Sequence, residues 1–381
     1  MFPKYSAAGA MAEQSLMKDG LGRAAIARIG NSLAQVIPQF DARAFEADAR
    51  RGLDQLELKA RVHHLIDVLH RHYDLPFKKL SNYLQHLPEV WDRGSAADNK
   101  AGFAAWPVID YVAVHGLAHP KEALHTLEKL TPLFSAEFAI RPFIQQHPDF
   151  TYAKLVDWCD HPSEHVRRLA SEGSRPRLPW GMRLPQFIHN PEPLLGILQK
   201  LKTDESLYVR RSVANNLNDI SKDNPEWMIK LCAAWLADSH EHTNWIVKHA
   251  MRSLVKAGDA RVFPLLGYAA KPSVTLSDIT LAKHTIALGD ALEFNCTLSG
   301  GKRAQHVVVD YVIYFMKANG KLAPKVFKLK NIALAANETV VISKRHSFKP
   351  ITTRRYYTGA HQVAIQINGT EIARREFELT R

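Results

Sequence analysis

The apolar residues of this 381-residue chain change their spacing at about Ala270, and that change limits the folds open to it. Before it they recur every three or four positions, as in LEKLTPLFSAEFAIRPFI and PEWMIKLCAAWL, which is the stripe of an amphipathic helix. After it HVVVDYVIYFM, KVFKLKNIAL and ETVVISKRHSF alternate apolar with polar residues and are rich in Val, Ile and aromatic residues, as strands are. The sequence therefore predicts a multidomain protein, with helices first and strands second.

Three segments of the helical part resemble one another: HPSEHVRRLASEG, DESLYVRRSVANNL and EHTNWIVKHAMRSL. Val166 and Val209 are 43 positions apart, and Leu217 and Leu254 are 37 positions apart. Both spacings lie near the period of HEAT and armadillo helical pairs. Because such repeats stack with corresponding helices on one face, we predict a HEAT-like α-α solenoid whose basic pairs recur along a groove.

The alternating segments beyond Ala270 are separated by turn residues such as Gly289 with Asp290 and Asn319 with Gly320. About seven short strands in roughly 105 residues is what an immunoglobulin-like β-sandwich requires. We therefore predict three domains, listed here from the N-terminus: a helical cap of the solenoid over 1–100, HEAT-like repeats that form the groove and the active site over 101–270, and a DNA-contacting immunoglobulin-like sandwich over 271–381.

Charge and composition narrow the class of partner and the compartment. The formal net charge is +12, and the residues from Pro272 onward carry sixteen Lys and Arg against eight Asp and Glu. Such a surplus favours a polyanionic partner but does not separate DNA from RNA. No apolar run reaches the roughly 18 residues of a membrane span, and the start does not resemble a secretory signal. We expect a soluble, cytoplasmic protein without a membrane partner.

Several motifs of common enzymes are missing from the sequence. It contains no phosphate-cradling glycine loop, no zinc-ligand spacing and no nucleophile-elbow serine. Nineteen histidines are spread without an HExxH-like pair, and Cys159, Cys232 and Cys296 are widely spaced and odd in number. We therefore expect reduced, structural cysteines, no metal site and no cofactor.

The densest cluster of charge is SEHVRRLASEGSRPRLPWG, in which four arginines surround Glu172 and lead to Trp180. Arginine can hold phosphates with its planar fork, and a nearby tryptophan can pack against sugar or base. A carboxylate in a phosphate-binding groove weakens binding, so Glu172 needs an explanation beyond affinity. The alternative, equally favoured by the residues, is that Glu172 pairs with a neighbouring arginine and Trp180 is core. The four arginines are Arg167, Arg168, Arg175 and Arg177.

Two more acids have comparable surroundings. Glu137 stands four residues before Arg141, and Asp219 lies a helix length after the basic pair Arg210 and Arg211. A simple (i, i+4) helix pair explains Glu137, and a helix C-terminal or turn aspartate explains Asp219. From the residues alone these structural interpretations are favoured.

Taken together, these segments resemble a known family: the AlkC branch of the HEAT-like-repeat alkylpurine DNA glycosylases, which are relatives of AlkD. The resemblance depends on SAEFAIRPF, VRRLASEGSRPRLPW, LYVRRSVANNLNDISKDNP and the sandwich that follows. These cover most of residues 100–381. The family carries an appended immunoglobulin-like domain in its AlkC-type members, as predicted here from the strand pattern.

The resemblance implies hydrolysis of the N-glycosidic bond of cationic N-alkylated bases, 3-methyladenine and 3-methylcytosine, without drawing the base into a closed pocket. It implies that Glu137, Glu172 and Asp219 face the lesion as the catalytic acids, and that Trp180 is the aromatic residue of that site. It places the basic pairs of the repeats on DNA: Arg167, Arg168, Arg175, Arg210 and Arg211. We expect the same contact for Arg177 and Lys248.

The resemblance also implies a place in base excision repair, on double-stranded DNA that contains alkylated bases. No lysine nucleophile stands in these motifs, so we expect a monofunctional enzyme that leaves an abasic site. We expect a monomer, associated with the nucleoid in a bacterium. The alternatives are a non-enzymatic HEAT-repeat scaffold that binds nucleic acid or protein, and a damage sensor that binds lesions without chemistry.

Overall fold

The structure is a computed structural model that describes residues 16–95, 97–351 and 354–381. The chain divides into two compact units, Met1–Asp219 and Ile220–Arg381. The first unit is helical where it is described, and the second begins with helices and continues as strands. The predicted order of helices followed by an immunoglobulin-like sandwich is confirmed.

The helices of the first unit are short, and 3-10 turns connect several of them. The α-helices are α1 (Arg23–Val36), α2 (Ala42–Arg50), α3 (Leu58–His72), α4 (Phe77–Leu84), α5 (Leu87–Val90), α6 (Trp106–His115), α7 (Pro120–Leu130), α8 (Ile140–Gln146), α9 (Pro148–Trp158), α10 (Glu164–Gly173), α11 (Pro185–His189), α12 (Leu195–Leu201) and α13 (Leu207–Ile220). The 3-10 helices are Met17–Leu21, Leu53–Gln55, Ala101–Ala105 and Glu192–Leu194.

Proline and arginine organise the turns between these helices. Pro148 stands at the first position of α9, where the missing backbone N–H costs no hydrogen bond. Arg167 Nη1 donates to the carbonyl oxygens of His161 and Pro162, both at 2.9 Å, six and five residues before it.

The first arginine of the next basic pair makes the same contacts. Arg210 Nη1 donates to the carbonyl oxygens of Asp204 at 2.8 Å and Glu205 at 2.7 Å, again six and five residues before it. Arg167 and Arg210 are 43 positions apart, so the contact recurs with the period of the repeat. In both repeats the first arginine of the pair therefore holds the turn that precedes its own helix.

The second unit begins with α14 (Pro225–Ala237), α15 (Glu241–Ala250), α16 (Arg252–Ala257) and α17 (Val262–Leu265). Gly258, which ends α16, has φ 75°, and Gly369, in the turn between the last two strands, has φ 76°. A Cβ on Gly369 would lie 2.0 Å from the Cα of Gly258. The two backbones therefore touch, and only glycine fits at either place.

The strands form two sheets. They are β1 (Val274–Leu276), β2 (Thr280–Leu281), β3 (Thr285–Ala287), β4 (Ala291–Gly300), β5 (Gln305–Met316), β6 (Leu322–Leu334), β7 (Thr339–Ser347), β8 (Gly359–Ile367) and β9 (Thr370–Thr380). In one sheet β4 pairs with β1, β2 and β7, and the other has the order β3-β9-β8-β5-β6. All the pairings are antiparallel except that of β3 with β9.

This sandwich has more strands than the seven predicted, because the segment ITLAKHTIALGDALEFNCTL breaks into β2, β3 and β4. Alternate residues of both sheets form one apolar core, in which Phe348, Val309 and Ile365 are fully buried. His346 lies in this core, where burial, aided by Arg354, lowers its pKa to about 4. The histidine is therefore neutral at physiological pH and packs as an aromatic ring.

The cysteines and the helices can be compared with what the sequence predicts. Cys159, Cys232 and Cys296 are buried and free, as predicted for structural cysteines. Across the described residues, no helix combines the length and the apolar character that crossing a bilayer requires.

Candidate active site

The three predicted catalytic acids lie at the ends of helices in the first unit. Glu137 stands in the turn before α8, Glu172 in the last turn of α10, and Asp219 in the last turn of α13. Glu172 and Asp219 are 4% and 2% exposed, whereas Glu137 is half-buried. Acids 82 positions apart in the chain thus come from helix ends on neighbouring repeats.

Two arginines bridge these acids. Arg175 Nη1 lies 2.6 Å from Glu172 Oε1, and Arg175 Nε lies 2.8 Å from Asp219 Oδ2. Arg168 Nη1 lies 2.9 Å from Glu137 Oε2, and Arg168 Nη2 lies 3.6 Å from Glu172 Oε1. The three carboxylates and the two guanidiniums therefore form one continuous network centred on Glu172.

The carboxylates of this network stabilise the charged form of its two arginines. Burial disfavours the charged form of Arg175, but Glu172 and Asp219 outweigh it and raise the pKa of this arginine. Burial likewise opposes the charge of Arg168, and Glu172 and Glu137 outweigh it, so that its pKa is also raised. Both arginines are firmly cationic, and each buried carboxylate has a cation beside it.

One oxygen of the network is left over. Oε2 of Glu172 is buried and has no hydrogen-bond partner among the described residues, while Oε1 accepts from Arg175. A buried carboxylate oxygen without a partner is costly, and in native proteins it calls for an explanation such as a catalytic role or a bound ion. Oε2 of Glu172 can therefore accept a further hydrogen bond or interact with a cation.

Arg141 fixes the segment that follows α10. Its Nε donates to the carbonyl oxygen of Met182 at 2.6 Å, and its Nη1 donates to that of Gly173 at 2.7 Å. Burial, with a contribution from Arg175, lowers its pKa to about 10, so the group stays charged at neutral pH. The (i, i+4) pairing of Arg141 with Glu137 considered from the sequence is replaced by these backbone contacts.

Trp180 lies in the loop that Arg141 holds, and its side chain is 58% exposed. Its φ is 65°, a left-handed conformation that costs a residue other than glycine about 1 kcal/mol or more. Lys59 Nζ, from α3, donates to the carbonyl oxygen of Trp180 at 2.7 Å. Trp180 is therefore a surface residue of the site and not part of the core.

A cavity of about 330 Å³ lies against the network. Glu137, Glu172 and Arg175 line it, and so does the exposed Trp180. Its remaining lining residues are apolar: Phe103, Trp106, Phe134, Phe138, Leu178 and Pro179. The acids thus face an aromatic-walled space, and not bulk solvent alone.

The aromatic residues of this wall were missed from the sequence. Phe103 and Trp106 come from the start of α6 and the 3-10 helix before it, and Phe134 and Phe138 flank Glu137. In a helical stripe such residues are indistinguishable from core residues. The one usable signal was the pair of phenylalanines on either side of an acid, in LFSAEFAI.

The other predicted DNA-binding residues are placed in different ways. Arg167 and Arg210 hold turns, and Arg167 also pairs with Asp204 through Nε at 2.6 Å. Arg211 is exposed, and Arg177 is half-buried with partners of its own. A DNA contact by these residues stays a prediction.

Lys248 belongs to the second unit, on α15. It is exposed and lines a cavity of about 100 Å³ together with Arg252, Lys256 and Lys328, and Asp310 also lines it. Four cations beside a single carboxylate are suited to an anionic group. Within the described residues no group of three or more His, Cys, Asp or Glu side chains could hold a metal ion.

The chain is similar to known proteins in both sequence and structure. Residues 275–381 match the family described as "Uncharacterised protein YhaZ, C-terminal Ig-like domain". The chain is 46% identical over 260 residues to "Uncharacterized protein YhaZ" of Bacillus subtilis (strain 168), an alignment that covers 68% of this chain and 72% of that protein.

A solved structure extends the similarity to nearly the whole chain. The Pseudomonas fluorescens alkylpurine DNA glycosylase AlkC, bound to DNA containing an abasic site analog, is 38% identical, with a TM-score of 0.89, and the match covers 96% of this chain and 100% of that one. The chain belongs to the AlkC family. Because the match spans almost all of the sequence, the helices before residue 100, which carried no recognised motif, are part of the AlkC fold.

Proposed function

We propose that this protein is a DNA glycosylase that hydrolyses the N-glycosidic bond of cationic N-alkylated bases in double-stranded DNA. The proposed substrates are 3-methyladenine and 3-methylcytosine, and the proposed role is the first step of base excision repair. The observation that carries this proposal is the network of Glu137, Glu172 and Asp219, tied by two arginines beside an open cavity. AlkC membership supports the same reaction.

The reaction needs negative charge more than it needs an acid. An alkylated base already carries a positive charge and leaves as a neutral molecule, so no group has to protonate it. As the bond to the base breaks, positive charge develops on the sugar, and a fixed carboxylate stabilises that oxocarbenium ion. A carboxylate can also accept a proton from the attacking water.

Glu172 is the best placed of the three acids for both tasks. Its Oε1 is held by Arg175 and its Oε2 is buried without a partner in the described part of the chain. The carboxylate is therefore oriented through one oxygen, and its other oxygen has no hydrogen bond to satisfy it. Glu137 and Asp219 fix Arg168 and Arg175, and so hold Glu172 in place.

The arginines also reconcile the acids with a polyanionic substrate. Three isolated carboxylates would repel the phosphates that flank the lesion. Arg168 and Arg175 neutralise much of that charge through Oε1 of Glu172 and leave its Oε2 without a hydrogen-bond partner among the described residues. Positive charge around a small negative centre is suited to a DNA backbone with a cationic sugar in its middle.

We propose a monofunctional enzyme that acts as a monomer in the cytoplasm, at the nucleoid in a bacterium. No lysine lines the described cavity, so a Schiff base and strand scission are not expected. Lys59, whose amine donates to the carbonyl oxygen of Trp180, is the lysine to examine as a nucleophile. Borohydride trapping on abasic DNA should give no cross-linked product.

Light scattering should give the mass of one chain.

The decisive experiment is Glu172→Gln assayed for base release. DNA methylated at adenine or cytosine is incubated with the purified protein, and free 3-methyladenine and 3-methylcytosine are measured separately. We expect the substitution to lower the rate of release by at least about a hundredfold, the scale of losing one preorganised electrostatic group. Affinity for an abasic-site duplex should stay within a few-fold.

Glu164→Gln is the matched control. Glu164 is an exposed acid in the first turn of the same helix, where it contacts the hydroxyl of Ser206. It should release base at the unaltered rate. Normal excision by Glu172→Gln would remove Glu172 from the chemistry. An unaltered protein that releases no base and binds methylated and plain DNA equally would instead be a scaffold.

A further inference from the structure

The Arg168 guanidinium lies over the ring of Tyr208, a residue to which the proposed reaction gives no role. The Cζ of Arg168 is 4.5 Å from the centroid of that ring. An aromatic face attracts a cation within roughly 6 Å. The edge of the same guanidinium is bonded elsewhere, with Nη1 2.8 Å from Ser135 Oγ and 2.9 Å from Glu137 Oε2. Arg168 therefore binds an acid through its edge and an aromatic ring through its face.

Tyr208 reaches Arg168 from the next repeat. It stands in the first turn of α13, whose last turn carries Asp219, whereas Arg168 belongs to α10. Arg168 thus contacts the start of α13, and Arg175, just after α10, contacts Asp219 at its end. Each of the two arginines beside Glu172 is therefore held by α13, one through a ring and the other through a carboxylate.

The ring of Tyr208 is packed on one side and partly exposed. The ring of His165 meets it nearly edge-on, with centroids 5.7 Å apart and 73° between the planes. Tyr208 is 38% exposed. Burial, opposed by Arg168 and aided by Glu137 and Glu172, raises the pKa of its hydroxyl. The side chain is therefore a neutral phenol at physiological pH and does not compete with the acids as a second anion.

Arg168 needs a contact of this kind because phosphates attract it as well. A guanidinium binds phosphate as readily as carboxylate, so bound DNA would compete with Glu137 and Glu172 for Arg168. A ring over the guanidinium restricts its rotation and favours the conformation that binds the acids. Arg168 Nη2 lies 3.6 Å from Glu172 Oε1, so the place of this arginine affects the orientation of the Glu172 carboxylate.

We propose that Tyr208 is a positioning residue, which holds Arg168 in the acid network and thereby keeps Glu172 oriented during base release. This role rests on the proposed function, because Glu172 acts on the sugar only in that reaction. The contact between Tyr208 and Arg168 does not depend on the reaction, so it can be measured without DNA.

The first test separates the rate of base release from DNA affinity. Tyr208→Leu removes the ring and should lower the single-turnover rate about three- to tenfold, with affinity for an abasic-site duplex changed by less than about twofold. Tyr208→Phe keeps the ring and should retain both the rate and the affinity. Tyr83→Leu is the matched control, because Tyr83 is a half-buried tyrosine on α4 outside the acid network. It should leave the rate unaltered.

The second test asks whether the effect passes through Arg168. Arg168→Gln should lower the rate by itself, and adding Tyr208→Leu should lower it no further. The same variants are then unfolded chemically without DNA, and the double variant should lose less stability than the sum of the single variants. If Arg168→Gln does not fold, Arg168→Lys takes its place, because it keeps the charge without the flat guanidinium.

Additive losses of stability would mean that the ring and the guanidinium do not interact, and would overturn the proposal. Normal base release by Tyr208→Leu would do the same. Weaker DNA binding by Tyr208→Phe would also contradict it, since the hydroxyl would then be a DNA contact. A protein that releases no base would contradict the proposed function instead, and non-additive stability would then still establish the contact of Tyr208 with Arg168.

Discussion

The sequence could not decide whether Glu172 is an ion-pair partner or a catalytic acid. Glu172 pairs with Arg175 through Oε1, as its structural interpretation predicted, and keeps Oε2 unpartnered among the described residues, while its catalytic role stays a prediction. The acids could be predicted because the AlkC-like motifs contain them. Their bridging by Arg168 and Arg175 could not, because it depends on how helix ends 30 to 45 positions apart meet.

Arg167 and Arg168, the two arginines of the first basic pair, have different roles that their adjacency in the sequence does not indicate. Arg167 and Arg168 are neighbours, yet Arg167 holds a turn and Arg168 enters the acid network. Successive residues on a helix point about 100° apart, so they cannot share one surface. The pair Arg167 and Arg168 therefore supplies one side chain to the acid network, and it is the second.

We predict that Lys59 positions Trp180. Its amine holds the carbonyl oxygen of a residue in a left-handed conformation, so its removal should let the loop relax. Lys59→Met should lower base release by about three- to tenfold, the scale of one charged hydrogen bond. Combined with Trp180→Ala it should add nothing further, because its effect passes through Trp180.

Two controls separate positioning from a general effect of charge. Lys59→Arg should restore most of the rate, and Lys79→Met, at an exposed lysine on α4, should have no effect. Additive losses in the double variant would mean that Lys59 acts on DNA directly and not through the loop.

The order of helices and strands was predicted from the sequence more completely than any other feature of the fold. The change of apolar spacing located the change from α17 to β1, because burial on one face of a helix or strand dictates its period. Pairing between strands was not predictable, and β3 joins β9 in parallel through a contact of only three residues. Such short edge pairings depend on tertiary packing and leave almost no pattern in the sequence.

The contact between Gly258 and Gly369 gives a prediction about the joint between α16 and the β8–β9 turn. Gly258→Ala should destabilise the protein by about 2 to 4 kcal/mol, because it adds left-handed strain and a Cβ only 2.8 Å from the carbonyl oxygen of Gly369. The measurement is chemical unfolding followed by circular dichroism.

Gly267 provides the matched control for backbone strain. Its φ is 78°, close to that of Gly258, but a Cβ there would meet nothing within 4 Å. Gly267→Ala should therefore cost only the strain, about 1 kcal/mol. Equal losses for the two substitutions would show that the backbones do not need to approach each other as closely as they do here.

For the whole molecule, the uneven distribution of charge was visible in the sequence but the division into units was not. The residues from Pro272 onward carry twice as many basic as acidic side chains. Helices α14 to α17 nevertheless belong to the same compact unit as the strands, as the contact of Gly258 with Gly369 requires. Deleting the sandwich would expose these helices, so its role in DNA binding is better tested by removing charges.

Lys248 and Lys328 are the charges to remove, because they line one cavity of the second unit from α15 and β6. If each neutralises a phosphate, replacing both with Gln should flatten the slope of log affinity against log salt concentration by up to about 1.8, or about 0.9 per contact. Exposed Lys302 and Lys349, replaced in the same way, remove equal charge elsewhere on the sandwich and should change the slope little. Slopes that fall equally for both pairs would assign the effect to net charge, and an unaltered slope for Lys248 and Lys328 would take this cavity out of the DNA interface.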